Sequence, residues 1–169
     1  MEQALNPEKA EQVEKGMLHW LWLSVLVIIL DQASKVFVQS QLEMHEFVPV
    51  LPVFGFTLAY NTGAAFSFLS EASGWQRWFF SLIAVGVSAI LVFWLKQLPK
   101  NDRWQAVAFA LLLGGALGNL YDRLVLGHVV DFLLVHWENH MFPAFNIADS
   151  AITIGAFMLI IDLFRKPSR

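Results

Sequence analysis

No cysteine occurs anywhere in the 169 residues. That excludes a disulfide framework, a thiolate nucleophile and any cysteine-ligated metal. Charge is scarce as well. Asp, Glu, Lys and Arg make up 15% of the chain, where a soluble domain carries roughly a quarter. The net charge of −3 supplies no basic field for nucleic acid. What fills the space is apolar: 57% of residues are hydrophobic, and there are seven tryptophans. Trp20, Trp22, Trp75, Trp78, Trp94 and Trp104 stand at the ends of apolar runs, as in the aromatic belts of a bilayer.

A membrane-spanning helix needs about 20 mostly apolar residues. Four stretches qualify, at about 17–38, 78–95, 104–121 and 142–164. The second and third carry no charge at all. Orientation follows from Lys and Arg near the span ends. Lys9, Lys15, Lys96, Lys100, Arg103, Arg165, Lys166 and Arg169 lie on one side; Lys35, Arg77 and Arg123 lie on the other. Eight against three puts both termini in the cytoplasm, so segments 39–76 and 122–141 face outward. The first span is too long for a cleavable leader, and no small-x-small site follows it. Residues 1–15 read as a solvated cytoplasmic tail.

Within the outer segment 39–76, large residues alternate with small from Phe54 to Tyr60. That period predicts a strand, and Pro49 and Pro52 before it predict an edge or a turn. Residues 64–69 read as a short interfacial helix capped by Asn61 or Thr62. The expected fold is therefore all-α and integral to the membrane. It is a single domain of four transmembrane helices with a small outward-facing β platform and a short interfacial helix.

Ionisable groups inside spans are costly and usually functional. Asp31, Lys35, Arg123, Asp131 and Asp149 all fall at outer-leaflet depth. Asp162 lies at the cytoplasmic end beside Arg165 and Lys166 and reads as a solvated terminal charge. Asp31 and Lys35 are four apart, which predicts a structural ion pair on one helix face. Asn119 and Arg123 share the same spacing. Gly114 and Gly118, just before them, admit a close neighbour, either a packed helix or a substrate backbone. Arg123 could bind a lipid phosphate, pair with Asp122 or fix a carboxylate. Asn146, Asp149 and Thr153 project from one face of the fourth span.

Asp131 stands in the apolar run Val129-Val130-Asp131-Phe132-Leu133 and needs a partner there. Two carboxylates in one site share a proton, which makes an acid and a base in one place. Such a pair can deprotonate a water for attack on an amide and protonate the leaving amine. No Ser-His-Asp or Cys-His alternative is available at outer depth. His136-Trp137-Glu138-Asn139-His140 has the i, i+4 histidine spacing of a helical zinc site. On a helix, however, Glu138 would point roughly 200° away from His136, so a polar outer loop is the reading preferred.

Five blocks carry a resemblance: Asp31-Gln32-Ala33-Ser34-Lys35; Tyr60-Asn61-Thr62-Gly63-Ala64-Ala65-Phe66-Ser67; the stretch 114–123, ending Asn119-Leu120-Tyr121-Asp122-Arg123; Gly127-His128-Val129-Val130-Asp131-Phe132; and Phe145-Asn146-Ile147-Ala148-Asp149-Ser150. In this order they resemble the bacterial lipoprotein signal peptidases, the type II signal peptidases. The resemblance implies a catalytic dyad at Asp131 and Asp149. It implies that Asn61, Gly115, Asn119, Arg123 and Asn146 shape the site or hold substrate. It also implies a mobile flap after Asn61, no metal and no cofactor. The implied substrate is a prolipoprotein whose lipobox cysteine carries a diacylglyceryl group, cut just before that cysteine at the outer face of the inner membrane. Membrane lipids are the other expected partner, with no nucleic acid, and a monomer is expected.

Two alternatives compete. An ion- or proton-conducting transporter would also bury Asp and Arg, but it needs polar residues through the full depth, and spans two and three are apolar in their cytoplasmic halves. A presenilin-type peptidase would use Tyr121-Asp122, but its Gly-x-Gly-Asp partner motif is absent.

Overall fold

The computed structural model describes residues 14–63, 74–138 and 140–165. Four long helices dominate: α1 (Leu21–Gln41, entered through a 3-10 turn at Leu18–Trp20), α2 (Trp75–Gln97), α3 (Arg103–Val125) and α4 (Ile147–Arg165). All four are long and apolar enough to cross a membrane, and the protein is a multi-pass membrane protein. Large apolar side chains such as Phe37, Leu82, Phe157 and Leu163 are exposed along them, the inverse of a soluble fold and the expected face toward lipid.

Helix α3 is the hub. Of its apolar span 56% is buried, against 22–28% for the other three. The reason lies in its small residues. A side chain at Gly114 would meet Ser24 and Val27 of α1, and one at Gly118 would meet the Asp31 carboxylate. At Gly115 it would collide with the backbone carbonyl of Ala148 on α4. The glycines therefore serve helix packing, two toward α1 and one toward α4.

The ends of α3 are fixed by polar groups. Asp102 is its N-cap, accepting from the Gln105 amide at 3.3 Å. At the end of the bundle where α3 begins, the chain before α1 knits to the α2–α3 turn. The Gly16 amide donates to the Leu98 carbonyl and the Met17 amide to that of Leu95, both at 2.9 Å. Met17, Leu91, Leu95, Ala106, Phe109 and Leu113 form the core beneath.

Asp162, expected to be solvated, is 7% exposed and accepts from Gln105 Nε2 at 2.7 Å. Helix α4 lies along the start of α3 there. Trp104 Nε1 bonds the Met158 carbonyl on the same contact, so the carboxylate is enclosed rather than at a free end.

Among the described residues the platform is a four-stranded antiparallel sheet in the order β1 (Phe47–Leu51), β2 (Phe54–Asn61), β3 (Val129–Trp137), β4 (His140–Met141). The alternation from Phe54 to Tyr60 is indeed a strand, and Pro49 lies on the edge strand, where a missing N–H costs least. Strand β3 goes beyond the sequence expectation: its start, Val129–Phe132, is buried throughout, so it has none of the alternation that marks a half-exposed strand. The zinc-like spacing at His136 and His140 falls across the β3–β4 hairpin and not on a helix, with His136 opposite Met141.

Helix α3 runs four residues beyond its expected end at 121, carrying Asp122 and Arg123 within the helix. Helix α4 starts at 147 rather than 142. Residues before it instead bond to β3, the Phe142 amide to Val135 and the Phe145 amide to Leu133. Pro143 disfavours helix in the residue before it, and Asn146 supplies the cap. Helix α1 extends to 41 and α2 begins at 75, slightly longer than expected. The interfacial helix and flap expected at 64–69 lie outside the described residues, as does most of the tail 1–15.

Candidate active site

Strand β3 and helix α4 bring Asp131 and Asp149 to one end of a cavity of about 730 Å³. Asp131 is set by its pairing opposite Ala59 on β2. Asp149 is set by a reciprocal cap at the start of α4. Its amide donates to Asn146 Oδ1 at 2.8 Å, and the Asn146 amide returns a bond to Asp149 Oδ2 at 3.3 Å. Each N–H is one that a helix start otherwise leaves unsatisfied.

Asparagine amides hold both carboxylates. Asp131 accepts from Asn61 Nδ2 at 3.1 Å and from Asn146 Nδ2 at 2.8 Å. Asp149 Oδ1 accepts from Asn119 Nδ2 at 2.7 Å. Asn146 Nδ2 also reaches Asn119 Oδ1 at 3.2 Å and the Val130 carbonyl at 3.2 Å. Asn146 thus ties both aspartates to α3. Asn119 and Asn146 are buried, and so is Asp131. Burial pushes the Asp131 carboxyl upward and the neighbouring Asp149 carboxylate pushes it further. Asn61, Lys35 and Asn146 pull the other way, and the result is about 7.

Arg123 sits on the same cavity wall. Its guanidinium donates to the carbonyls of Asn119 at 3.3 Å and Gly63 at 3.1 Å and lies over Phe80. It does not take Asp122, which belongs elsewhere. The pair expected at Asp31 and Lys35 is a triad: Lys35 Nζ contacts Asp31 at 2.7 Å and Asp122 at 2.8 Å. All three are essentially inaccessible to solvent. Asp31 also accepts from the Ala148 amide, Asp122 accepts from the Val130 amide, and Gln32 Nε2 donates to both carboxylates. Asp122 and Gln32 are the residues that spacing misses. Both stand inside the motif blocks, and Asp122 falls at the same depth as the other charges, on a helix expected to end just before it.

Apart from Ser150 and Thr153, the rest of the cavity is apolar. Phe80, Ile83, Ala84 and Val87 of α2 face Leu112 and Ala116 of α3 and Ile152 and Ile154 of α4. The carboxylates therefore stand at one end of a trough that runs between α2 and α4. An extended peptide at that end could meet two carboxylates and several amides, while its apolar continuation stays among apolar side chains. Gly115 does not line the cavity; it makes the α3–α4 contact at Ala148, one residue from Asp149. Among the described residues, no three potential metal ligands come together.

Residues 23–165 match the family described as signal peptidase (SPase) II. The chain belongs to the signal peptidase II family. It is 68% identical over 153 residues to the lipoprotein signal peptidase of Pseudomonas paraeruginosa, covering 89% of this chain and 90% of that one. The lipoprotein signal peptidase of Pseudomonas aeruginosa is 66% identical over the same shares. The fold resembles a bacterial membrane enzyme solved by the in meso method, with a TM-score of 0.78 and 32% identity over 92% of this chain and 98% of that one. Membership of the signal peptidase II family makes this chain a peptidase and leaves the transporter reading without support.

Proposed function

We propose that this signal peptidase removes the signal peptide from prolipoproteins bearing a diacylglyceryl cysteine. It works at the outer face of the bacterial inner membrane, with Asp131 and Asp149 as an aspartic dyad. One observation carries the reading. Two carboxylates from separate elements, each held by asparagine amides, share the polar end of a cavity whose walls are otherwise mostly apolar.

Two buried carboxylates side by side do not both ionise cheaply, so the pair holds one proton. The ionised member takes a proton from a water as its oxygen bonds to the scissile carbonyl carbon. The protonated member gives its proton to the carbonyl oxygen. The resulting diol collapses as the C–N bond breaks, and the proton held by the dyad passes to the leaving amine. The products are a signal peptide with a free carboxylate and a protein beginning with the lipidated cysteine. Asn119 and Asn146 keep the carboxylates in place through these transfers. Arg123 and Asn61 stand where a substrate backbone would need a donor and a donor–acceptor pair.

The lipid requirement rests on depth. Acyl chains attached to the cysteine stay in the bilayer, so the scissile bond must be cut at the interface and reached laterally. The trough between α2 and α4 supports such access.

The test is cleavage of a diacylglyceryl-modified precursor by purified enzyme and by Asp131→Asn and Asp149→Asn. Each variant should fold and cleave on the order of 10³-fold more slowly. Full activity in either would refute the dyad. Insensitivity to EDTA is expected. Equal cleavage of an unmodified precursor would refute the lipid requirement.

A further inference from the structure

Lys35 touches neither Asp131 nor Asp149, yet it ends a hydrogen-bond chain that reaches both. Its ammonium donates to Asn119 Oδ1 at 3.1 Å. An ammonium has three donors and no acceptor. Asp31 and Asp122 take two of those directions, and Asn119 takes the third. The Asn119 amide therefore has only one usable orientation, oxygen toward Lys35 and nitrogen toward Asp149. Turning it over would set an N–H₂ group against the ammonium.

The same logic passes on. Asn119 Oδ1 also accepts from Asn146 Nδ2, which fixes the Asn146 amide in turn. Its nitrogen then faces Asp131 and its oxygen caps the Asp149 amide.

We infer that Lys35, held by Asp31 and Asp122, is a positioning residue for the reaction: it sets the donor–acceptor polarity of the Asn119 and Asn146 amides so that both present N–H groups to the aspartate pair. The inference rests on the dyad reading above. It assigns the triad a role that a neutralised ion pair alone would not have. The triad also anchors both backbone approaches to the site, since Asp122 binds the Val130 amide beside Asp131, and Asp31 binds the Ala148 amide beside Asp149.

Lys35→Met alone would strand two buried carboxylates and threaten folding. The test therefore uses two double variants, Lys35→Met/Asp122→Asn and Lys35→Gln/Asp122→Asn. Both keep the net charge of the triad at −1, as in the wild type. Met and Gln are close in size, and only Gln can donate to Asn119 Oδ1. The charged groups facing the dyad (Asp31, Arg123 and each aspartate's partner) are the same in both.

The Gln double should cleave at least about tenfold faster in kcat, with KM alike within about twofold, since an orienting donor acts on the reacting geometry. The acidic limb of its pH–kcat profile should lie at lower pH than that of the Met double, whose Asn119 is free to turn its oxygen toward Asp149. Adding Asn119→Ala to both should erase the difference, because no amide is left to orient. Equal kcat and equal pH profiles in the two doubles would overturn the inference, as would a difference that survives Asn119→Ala. If either double proves unstable, the same comparison between Lys35→Met/Asp31→Asn and Lys35→Gln/Asp31→Asn decides it. Asp131→Asn and Asp149→Asn run alongside: full activity there sinks the dyad itself, whereas inactive dyad variants with equal doubles sink only the role of Lys35.

Discussion

Replacing Asp131 with Asn should stabilise this enzyme at neutral pH while slowing cleavage on the order of 10³-fold. The magnitude follows from the carboxyl's surroundings. Asp131 is raised from 3.8 to about 7 by burial and by Asp149. An unfolded chain at pH 7 has ionised this group fully, whereas the folded chain holds the proton in about half of the molecules. Between about pH 4 and pH 7 the folded state binds the extra proton, so its stability falls as pH rises through that window. By about pH 7 the loss amounts to about 4 kcal/mol.

The carboxamide of the Asp131→Asn variant does not ionise and escapes this loss. Part of the gain is offset by a lost hydrogen bond. Both oxygens of Asp131 accept amide N–H groups, from Asn61 and Asn146. A carboxamide offers only one oxygen, so one of those donors loses its acceptor at a cost of about 1–2 kcal/mol. The net expectation is a variant more stable by about 2 kcal/mol near pH 8, worth about 4–8 °C in a chain of this size. The two proteins should be close to equal near pH 5, and the variant less stable below it, where the wild-type carboxyl keeps its proton. Tryptophan fluorescence melts of detergent-purified protein across that range measure this directly. A variant that melts below wild type by the same margin near pH 5 and near pH 8 would refute the reasoning, because Asp131 would then carry no excess proton affinity in the folded state.

Asn146→Ala removes the cap of α4 and the amide that joins Asp131 to Asn119. It should cost about 1–2 kcal/mol in a thermal melt and reduce kcat on the order of 10²-fold in the cleavage assay. Gly115→Ala forces α3 away from the Ala148 carbonyl, so a loss of about 1–3 kcal/mol is expected; because Asp149 follows Ala148 directly, kcat should fall with stability. Asp162→Ala removes a buried acceptor of Gln105 at the opposite end of the bundle. It should destabilise by about 1–3 kcal/mol and leave kcat unchanged for the folded fraction, and a kcat defect there would argue against a site confined to the Asp131–Asp149 end.

The helices are legible because lipid imposes one strong rule, a long apolar run for every crossing. Their ends are less so. Helix α4 starts later than its apolar run because Pro143 and Asn146 act locally against a pattern that continues through them. Strand β3 is hidden because a strand buried along its first half does not alternate, so it reads like any other short apolar run. Asp162 reads as solvated because its position near a chain end says nothing about what crosses it.

The sequence by itself determined the four crossings, the β2 strand and the shared depth at which the charged residues collect. The motif blocks then marked Asp131, Asp149 and the three asparagines as a set. Only the tertiary structure decided how that set is wired. Hydrogen-bond partners such as Lys35 and Asn119, or Asn61 and Asp131, lie 84 and 70 residues apart, and no local period encodes such a pairing. The same holds for Asp122, whose placement against Lys35 follows from Gly114 and Gly118 letting α1 close on α3. Spacing along a helix reports which residues share a face, but what that face meets is set by packing.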